Sequence, residues 1–117
     1  MAVRVLIVDD DRRFRAAARR LLSAARYAVA GEAASVEETW RLVAERAPQA
    51  LLLDVSLPDG DGVELAAALT ARDRLLRILL TSTDPGAVPA DALRSCGARG
   101  FVAKDRLAVT DLRSYLG

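Results

Sequence analysis

Short apolar runs of strand length alternate along this chain with longer segments whose apolar residues recur at helical spacing, and that rhythm restricts the possible folds more than any other feature. "VRVLIV" (3–8) is rich in β-branched residues and too short for a stable helix. "RRFRAAARRLLSAA" (12–25) then brings Phe14, Ala17, Ala18, Leu21 and Leu22 round at intervals of three and four. A weaker strand, "YAVAGEA" from Tyr27, precedes "SVEETWRLVAER" (35–46), where Ser35 and Glu38 stand at capping-box spacing. A third strand, Ala50 to Val55, leads into "GVELAAALTARD" from Gly62, with Val63, Leu65, Ala66 and Leu69 available for its inner side. "RILLTS" (77–82) is the fourth strand, and "ADALRSCG" (90–97) a short helix closed by Gly97 at C′. "GFVAK" (100–104) is the fifth strand, and a last helix is predicted over Val109 to Leu116.

Five strand–helix units joined by right-handed crossovers predict an α/β domain: a doubly wound parallel sheet with helices on both faces. The apolar runs lose period-two alternation, as central strands covered on both sides do. The 117 residues make one domain, 1–117, large enough to bury about two-thirds of its unfolded surface. In such open sheets the ligand site lies beyond the carboxyl ends of the strands, near the switch in strand order.

Composition removes whole classes of function. The chain has no histidine, so a Ser-His-Asp triad, a histidine base and a His-metal site are excluded; chemistry must run on carboxylates, lysine, hydroxyls or a bound metal. The single Cys96 forms no internal disulfide and belongs to no zinc-ligand spacing, so it reads as a small buried hydrophobe. A formal charge of +1 gives no general attraction to nucleic acid or to an acidic membrane, and Arg12, Arg13, Arg19 and Arg20 read as a solvated helix face. The N-terminal apolar run is too short for a signal peptide or a membrane span, and a cytoplasmic setting is expected. Trp40, inside the second helix, reads as partial packing.

The carboxyl ends of the strands carry Asp9, Asp10 and Asp11, then Asp54, then Thr81, Ser82 and Thr83, then Lys104. An aspartate after a strand is ordinarily a helix cap, and a lone lysine is ordinarily solvated. Converging on one edge, they say more. Clustered carboxylates repel each other unless protons or a cation neutralise them, and an oxygen-only set suits a hard cation such as Mg²⁺, which keeps positions open for phosphate oxygens. Lysine nearby would meet a further phosphate oxygen as a point charge.

On "VDDD", "LLLDVSLPDGDG" and "GFVAK", over essentially its whole length, the chain resembles the receiver domains of two-component response regulators. The resemblance implies a flavodoxin-like (βα)5 sheet in the order 2-1-3-4-5. It implies a signalling switch in which Asp54 accepts a phosphoryl group from the phosphohistidine of a sensor histidine kinase or phosphotransfer protein, in a Mg²⁺-dependent reaction. On the same ground Asp10 is similar to the direct metal ligand, Asp9 to its water-mediated partner, Asp54 and the Ser56 carbonyl complete the metal set, and Lys104 contacts the phosphoryl oxygens. Asp11 has no family role and reads as a helix cap.

The family's switch hydroxyl lies about 22 residues before the lysine, which selects Ser82, whereas the end of the apolar run at Leu80 would select Thr81; Ser82 is preferred. Phe101, three residues before Lys104, resembles the switch aromatic that rotates with it, the alternative being a plain core phenylalanine. Asp105 stands where the family often has a cis proline, a form resembling receivers attached to helix-turn-helix output domains. Thr83 and Asp84 flank the site mouth; β-branched Thr83 stands where Ala or Gly is common and is expected to slow hydrolysis by shielding the phosphate, a tendency that Ser56 and Asp84 would oppose by orienting water. Implied partners are the kinase, an output domain or effector, and a second copy after phosphorylation, with no direct nucleic-acid or membrane contact. The chemistry expected is weak intrinsic phosphotransfer and autophosphatase activity, not that of a metabolic enzyme. A second reading takes Asp9-x-Asp11 as the nucleophile pair of a haloacid-dehalogenase-type phosphohydrolase.

Overall fold

The computed structural model describes all 117 residues. The strands β1 (Arg4–Val8), β2 (Ala28–Ala33), β3 (Ala50–Asp54), β6 (Arg77–Ser82) and β7 (Gly100–Ala103) form one parallel sheet in the order β2-β1-β3-β6-β7. The two-residue strands β4 (Ser56–Leu57) and β5 (Gly60–Asp61) make a small antiparallel hairpin outside it. Leaving that hairpin out of the count, the five sheet strands follow the order expected, with the third strand central, the first beside it and the second at the edge. No helix is long and apolar enough to cross a membrane.

Although the strands read as unbroken apolar runs, the sheet sorts them by parity. Leu6, Val8, Leu51, Leu53, Ile78 and Leu80 pack under α2 (Val36–Arg46), α3 (Gly62–Arg72) and α4 (Ala90–Ser95). Val5, Ile7, Ala50, Leu52, Leu79 and Val102 pack under α1 (Arg12–Ala24), which supplies Ala18 and Leu22, and under the C-terminal segment, which supplies Leu107, Leu112 and Leu116. Leu6, Leu51, Leu53, Leu79 and Leu80 are fully buried, each contributing about 1.5–3 kcal/mol against exposure to water. Of the residues expected on the inner side of α1, Ala17 is exposed.

The helix starts are built from side chains. Asp11 caps α1, its Oδ1 accepting from the amides of Arg13 at 2.9 Å and Phe14 at 3.4 Å. Ser35 Oγ accepts from Glu38 N at 3.1 Å, and the Glu38 carboxylate answers at the Ala34 amide, 2.8 Å away, one residue before the cap. Asp59, in the β4–β5 hairpin, takes the Val36 and Glu37 amides at 2.7 and 3.1 Å, and these two bonds hold its carboxyl below the ordinary aspartate value. The hairpin is thereby tied to α2. Gly97 closes the segment after α4 at φ +81°, a backbone region that disfavours side chains, as expected of a C′ glycine.

Two boundaries differ from expectation. β3 ends at Asp54: the Val55 amide still donates to the Thr81 carbonyl at 3.0 Å, but the Val55 carbonyl leaves the sheet to accept from Gly62 N. The helix expected over Val109–Leu116 is instead a 3₁₀ helix, Lys104–Val109, followed by a single α-helical turn, α5, at Arg113–Leu116. The break falls at Thr110, which is extended (φ −89°, ψ 139°) and bonds its own hydroxyl back to the Arg106 carbonyl at 2.7 Å. A β-branched residue followed by aspartate favours such local bonding over helix continuation.

At Gly62 the start of α3 comes so close to the end of β3 that an added Cβ would overlap the Asp54 carbonyl oxygen and sit 2.8 Å from Val55 Cα. Gly62→Ala is therefore expected to displace the backbone under Asp54 and to cost about 1–3 kcal/mol. A urea midpoint equal to that of the wild type would contradict the close approach.

Candidate functional site

Parallel pairing brings the carboxyl ends of β1, β3, β6 and β7 to one edge. Asp9 follows β1 directly; Asp54 ends β3 with Thr81 of β6 as its register partner; Lys104 follows β7. Asp9, Asp10 and Asp54 each offer a carboxylate oxygen within 4.8 Å of the others, Asp9 and Asp54 buried and Asp10 exposed. At that separation the buried pair repel by roughly 3–4 kcal/mol at an effective dielectric of about 20.

Lys104 offsets part of this repulsion. Its Nζ lies 2.7 Å from Asp9 Oδ2 and 3.3 Å from Asp54 Oδ2, and it sits 4.4 Å from the centre of the Phe14 ring. Burial alone would lower the lysine's pKa; the close contact with Asp9 and the charges of Asp9 and Asp54 outweigh it and hold the ammonium above its ordinary value. Burial is also the largest influence on Asp9 and raises its pKa, with the nearby Asp54 charge adding to the rise and Lys104 and the Asp11 amide opposing it. The Lys104 contact with Asp9 is close but poorly aimed, so Asp9 Oδ2 receives no directed hydrogen bond. Oδ1 of Asp9 accepts from Asp11 N at 2.8 Å.

An under-bonded buried oxygen, an exposed carboxylate beside it and a third at the strand tip form an all-oxygen donor set. It fits a hard divalent cation and no softer metal.

The other residues singled out in the sequence lie around the cluster at different depths. Ser56 is exposed and its amide donates to Asp54 Oδ1 at 3.2 Å. Thr81 is fully buried with an unpartnered hydroxyl, whereas Ser82 is 8% exposed and its hydroxyl accepts from Asp84 N at 3.0 Å. Phe101 is half-buried against the core beneath α2, α3 and α4. Thr83 and Asp84 are exposed, and Asp84 Oδ1 is occupied by Gly86 N at 2.9 Å. Every peptide bond is trans, the one before Asp105 included. Asp11 turns its carboxylate to the amides of α1, so Asp9-x-Asp11 does not assemble as a pair of reactive carboxylates.

Two residues that sequence reasoning left aside border the cluster. Arg15 Nη1 donates to the Asp9 carbonyl at 2.7 Å, and its Nε meets Glu32 Oε1 at 3.1 Å. Glu32 Oε2 is in turn paired with Arg19 Nε at 2.8 Å. A charged residue within the weak β2 segment was the only available hint. Trp40 and Cys96 behave as packing residues: Cys96 is buried, and Trp40 is half-buried with the Arg72 guanidinium 5.0 Å from its ring centre.

The model of the response regulator receiver domain family matches residues 5–116. Among curated relatives, the DNA-binding transcriptional activator DevR/DosR of Mycobacterium tuberculosis is 41% identical over 105 residues, 88% of this chain and 48% of that protein. The transcription regulator BvgA of Bordetella pertussis is 33% identical over 101 residues, 86% of this chain and 48% of that protein. The chain thus spans about half the length of these relatives. Among solved structures, a LuxR-family two-component response regulator from Aurantimonas sp. SI85-9A1 superposes with a TM-score of 0.86 at 31% identity, covering 97% of this chain and 81% of that one. The signal receiver domain of a NarL response regulator from Mycobacterium tuberculosis gives 0.80 at 35%, covering 92% and 88%. None of these supports a haloacid-dehalogenase-type phosphohydrolase. With its sheet order, its acidic edge and a family match over nearly its whole length, the chain belongs to the receiver domains of two-component response regulators.

Proposed function

We propose that this domain is a phosphorylation-driven switch in which Asp54 accepts a phosphoryl group from the phosphohistidine of a sensor kinase or phosphotransfer protein. The observation that carries the proposal is the position of the Asp54 carboxylate: at the tip of a buried central strand, within ligand reach of Asp9 and Asp10 and 3.3 Å from Lys104. In the transfer an Asp54 oxygen forms a bond to phosphorus as the phosphorus–nitrogen bond breaks, and the bonding pair leaves with the donor imidazole. Such transfers depend chiefly on positioning and on charge neutralisation. Asp9, Asp10 and Asp54, with the Ser56 carbonyl, would hold Mg²⁺, which when bound neutralises and orients phosphoryl oxygens. Lys104 meets a further oxygen as a point charge.

The relatives named above as DNA-binding or transcription regulators support an output domain that contacts DNA, with this domain regulating it from the cytoplasm. The response begins at Ser82, whose hydroxyl leaves the Asp84 amide for a charge-assisted bond to the phosphoryl group, and the vacated space admits Phe101. The surface around α4, β7 and α5 changes with it and becomes the face for a partner or a second copy.

Three outcomes are expected. Incubation with Mg²⁺ and acetyl phosphate labels Asp54 alone, and labelling that persists in Asp54→Asn overturns the assignment. Beryllofluoride with Mg²⁺ shifts amide resonances across α4, β7 and α5 in the wild type and loses that reach in Ser82→Ala; shifts confined to the acidic pocket reject the switch. Thr83→Ala speeds acyl-phosphate decay severalfold, because a β-branched side chain at the mouth narrows the path of an in-line water; decay that is equal or slower refutes the shielding.

A further inference from the structure

Of the three clustered carboxylates, Asp10 alone is exposed, and no amide, hydroxyl or cation of the chain meets its side chain. With no side-chain partner to hold it, its starting point and the direction of its Cα–Cβ bond are set by the backbone, through the peptide that joins it to Asp9. That peptide is held from outside the pocket. The Asp9 amide donates to the Ala33 carbonyl at 2.9 Å, which fixes the chain ahead of the peptide. The Asp9 carbonyl, which is the peptide's own oxygen, accepts from Arg15 Nη1 at 2.7 Å. Arg15 is well placed for this, since its own amide bonds to the Asp11 carbonyl at 3.0 Å in the first turn of α1.

The guanidinium is itself clamped. Glu32 on β2 receives Arg15 Nε at 3.1 Å and Arg19 Nε at 2.8 Å. The Arg15 and Glu32 side chains are 17% and 29% exposed, against 48% for Arg19. Burial would raise the Glu32 carboxyl's pKa, but the two arginines hold it below its ordinary value and keep it anionic. An exposed ion pair of this kind would contribute little to stability. Here one partner also grips a backbone oxygen of the acidic edge, and the planar fork of arginine can make both contacts at once. Glu32 has a second effect: it supplies the counter-charge to a guanidinium standing beside a pocket that must attract a cation.

We propose that Arg15, clamped and neutralised by Glu32, is a positioning residue for the acidic pocket, fixing the Asp9–Asp10 peptide and with it the aim of the Asp10 carboxylate toward a divalent cation. The inference rests on the reading of the pocket as a Mg²⁺ site. Partners that orient metal ligands without touching the metal typically govern affinity by about 10–100-fold when removed.

The test is Mg²⁺ titration without a phosphodonor, followed by calorimetry and by the amide resonances of Asp10 and Asp11, in wild type, Arg15→Gln, Arg15→Lys and Glu32→Gln. Urea unfolding of each variant confirms that it is folded during the titration. Arg15→Gln is expected to weaken Mg²⁺ binding about tenfold. Arg15→Lys, which keeps a donor for the carbonyl, recovers part of that loss. Glu32→Gln weakens binding most at low salt, where the uncompensated guanidinium is least screened. Unchanged affinity in Arg15→Gln overturns the proposal, as does a loss that Arg15→Lys fails to recover in any part. A wild-type protein that takes up no Mg²⁺ overturns the metal reading itself, a result distinct from wild type and Arg15→Gln binding equally well.

Discussion

One ammonium group shared between two buried carboxylates sets the terms for this edge of the molecule. Asp9 and Asp54 are 0% and 6% exposed, close enough to repel, and Lys104 is the cation between them. Lys104 follows β7, with β6 between it and the strand that carries Asp54. Two strand spacings of about 4.8 Å separate those backbones. A four-carbon stem ending in a compact charge can cross that gap, and the Phe14 ring beside the ammonium gives it an apolar, weakly attractive flank. The contact exists only in a sheet with this order, so the topology and the electrostatics of the edge are one constraint.

The loops around the pair are held to match. Gly62 lets α3 start against the backbone of Asp54, with its amide on the Val55 carbonyl at 2.6 Å. Asp59 fastens the intervening hairpin to the first turn of α2. Asp11 ends the acidic run by capping α1, which turns its carboxylate away from the cluster and leaves three acids there rather than four. Each of these anchors lies within a few residues of an acid, so the pocket's shape follows from how the strands end and the helices begin.

Much of this was legible in the sequence because a parallel sheet converts position along the chain into position in space. Once the apolar runs were read as strands, Asp9, Asp10, Asp54 and Lys104 had to meet at their carboxyl ends, and they do. The capping roles of Asp11 and Ser35 were legible because they act within three residues. The anchors from Arg15 to Glu32 and from Asp59 to Val36 span 17 and 23 residues between separate elements, so no local pattern marks them. The last helix was overextended for a different reason: Val109 to Leu116 has helical spacing, but Thr110 satisfies its hydroxyl locally and leaves one turn after the break. Between Thr81 and Ser82, counting and run length point to different residues; both are buried, Thr81 fully and Ser82 8% exposed.

The two buried acids, alike in charge, are bonded very differently. Asp9 has one hydrogen-bonded oxygen, Oδ1, 2.8 Å from the Asp11 amide, while Oδ2 lies 2.7 Å from the ammonium as a charge contact without a directed hydrogen bond. Asp54 is loosely held, with Oδ1 3.2 Å from the Ser56 amide and Oδ2 3.3 Å from the same ammonium, both at the long end of the hydrogen-bond range. Long contacts of this kind can shorten as charge builds up in a transition state. Exposure then separates the two acids: Asp9 is closed to solvent and keeps an unpartnered oxygen suited to a cation, whereas Asp54 stands at the strand tip and is 6% exposed. On the function proposed above, this access, with long contacts that can tighten, suits Asp54 and not Asp9 to attack phosphorus, while Lys104, 2.7 Å from Asp9 and 3.3 Å from Asp54, offsets the charge of both.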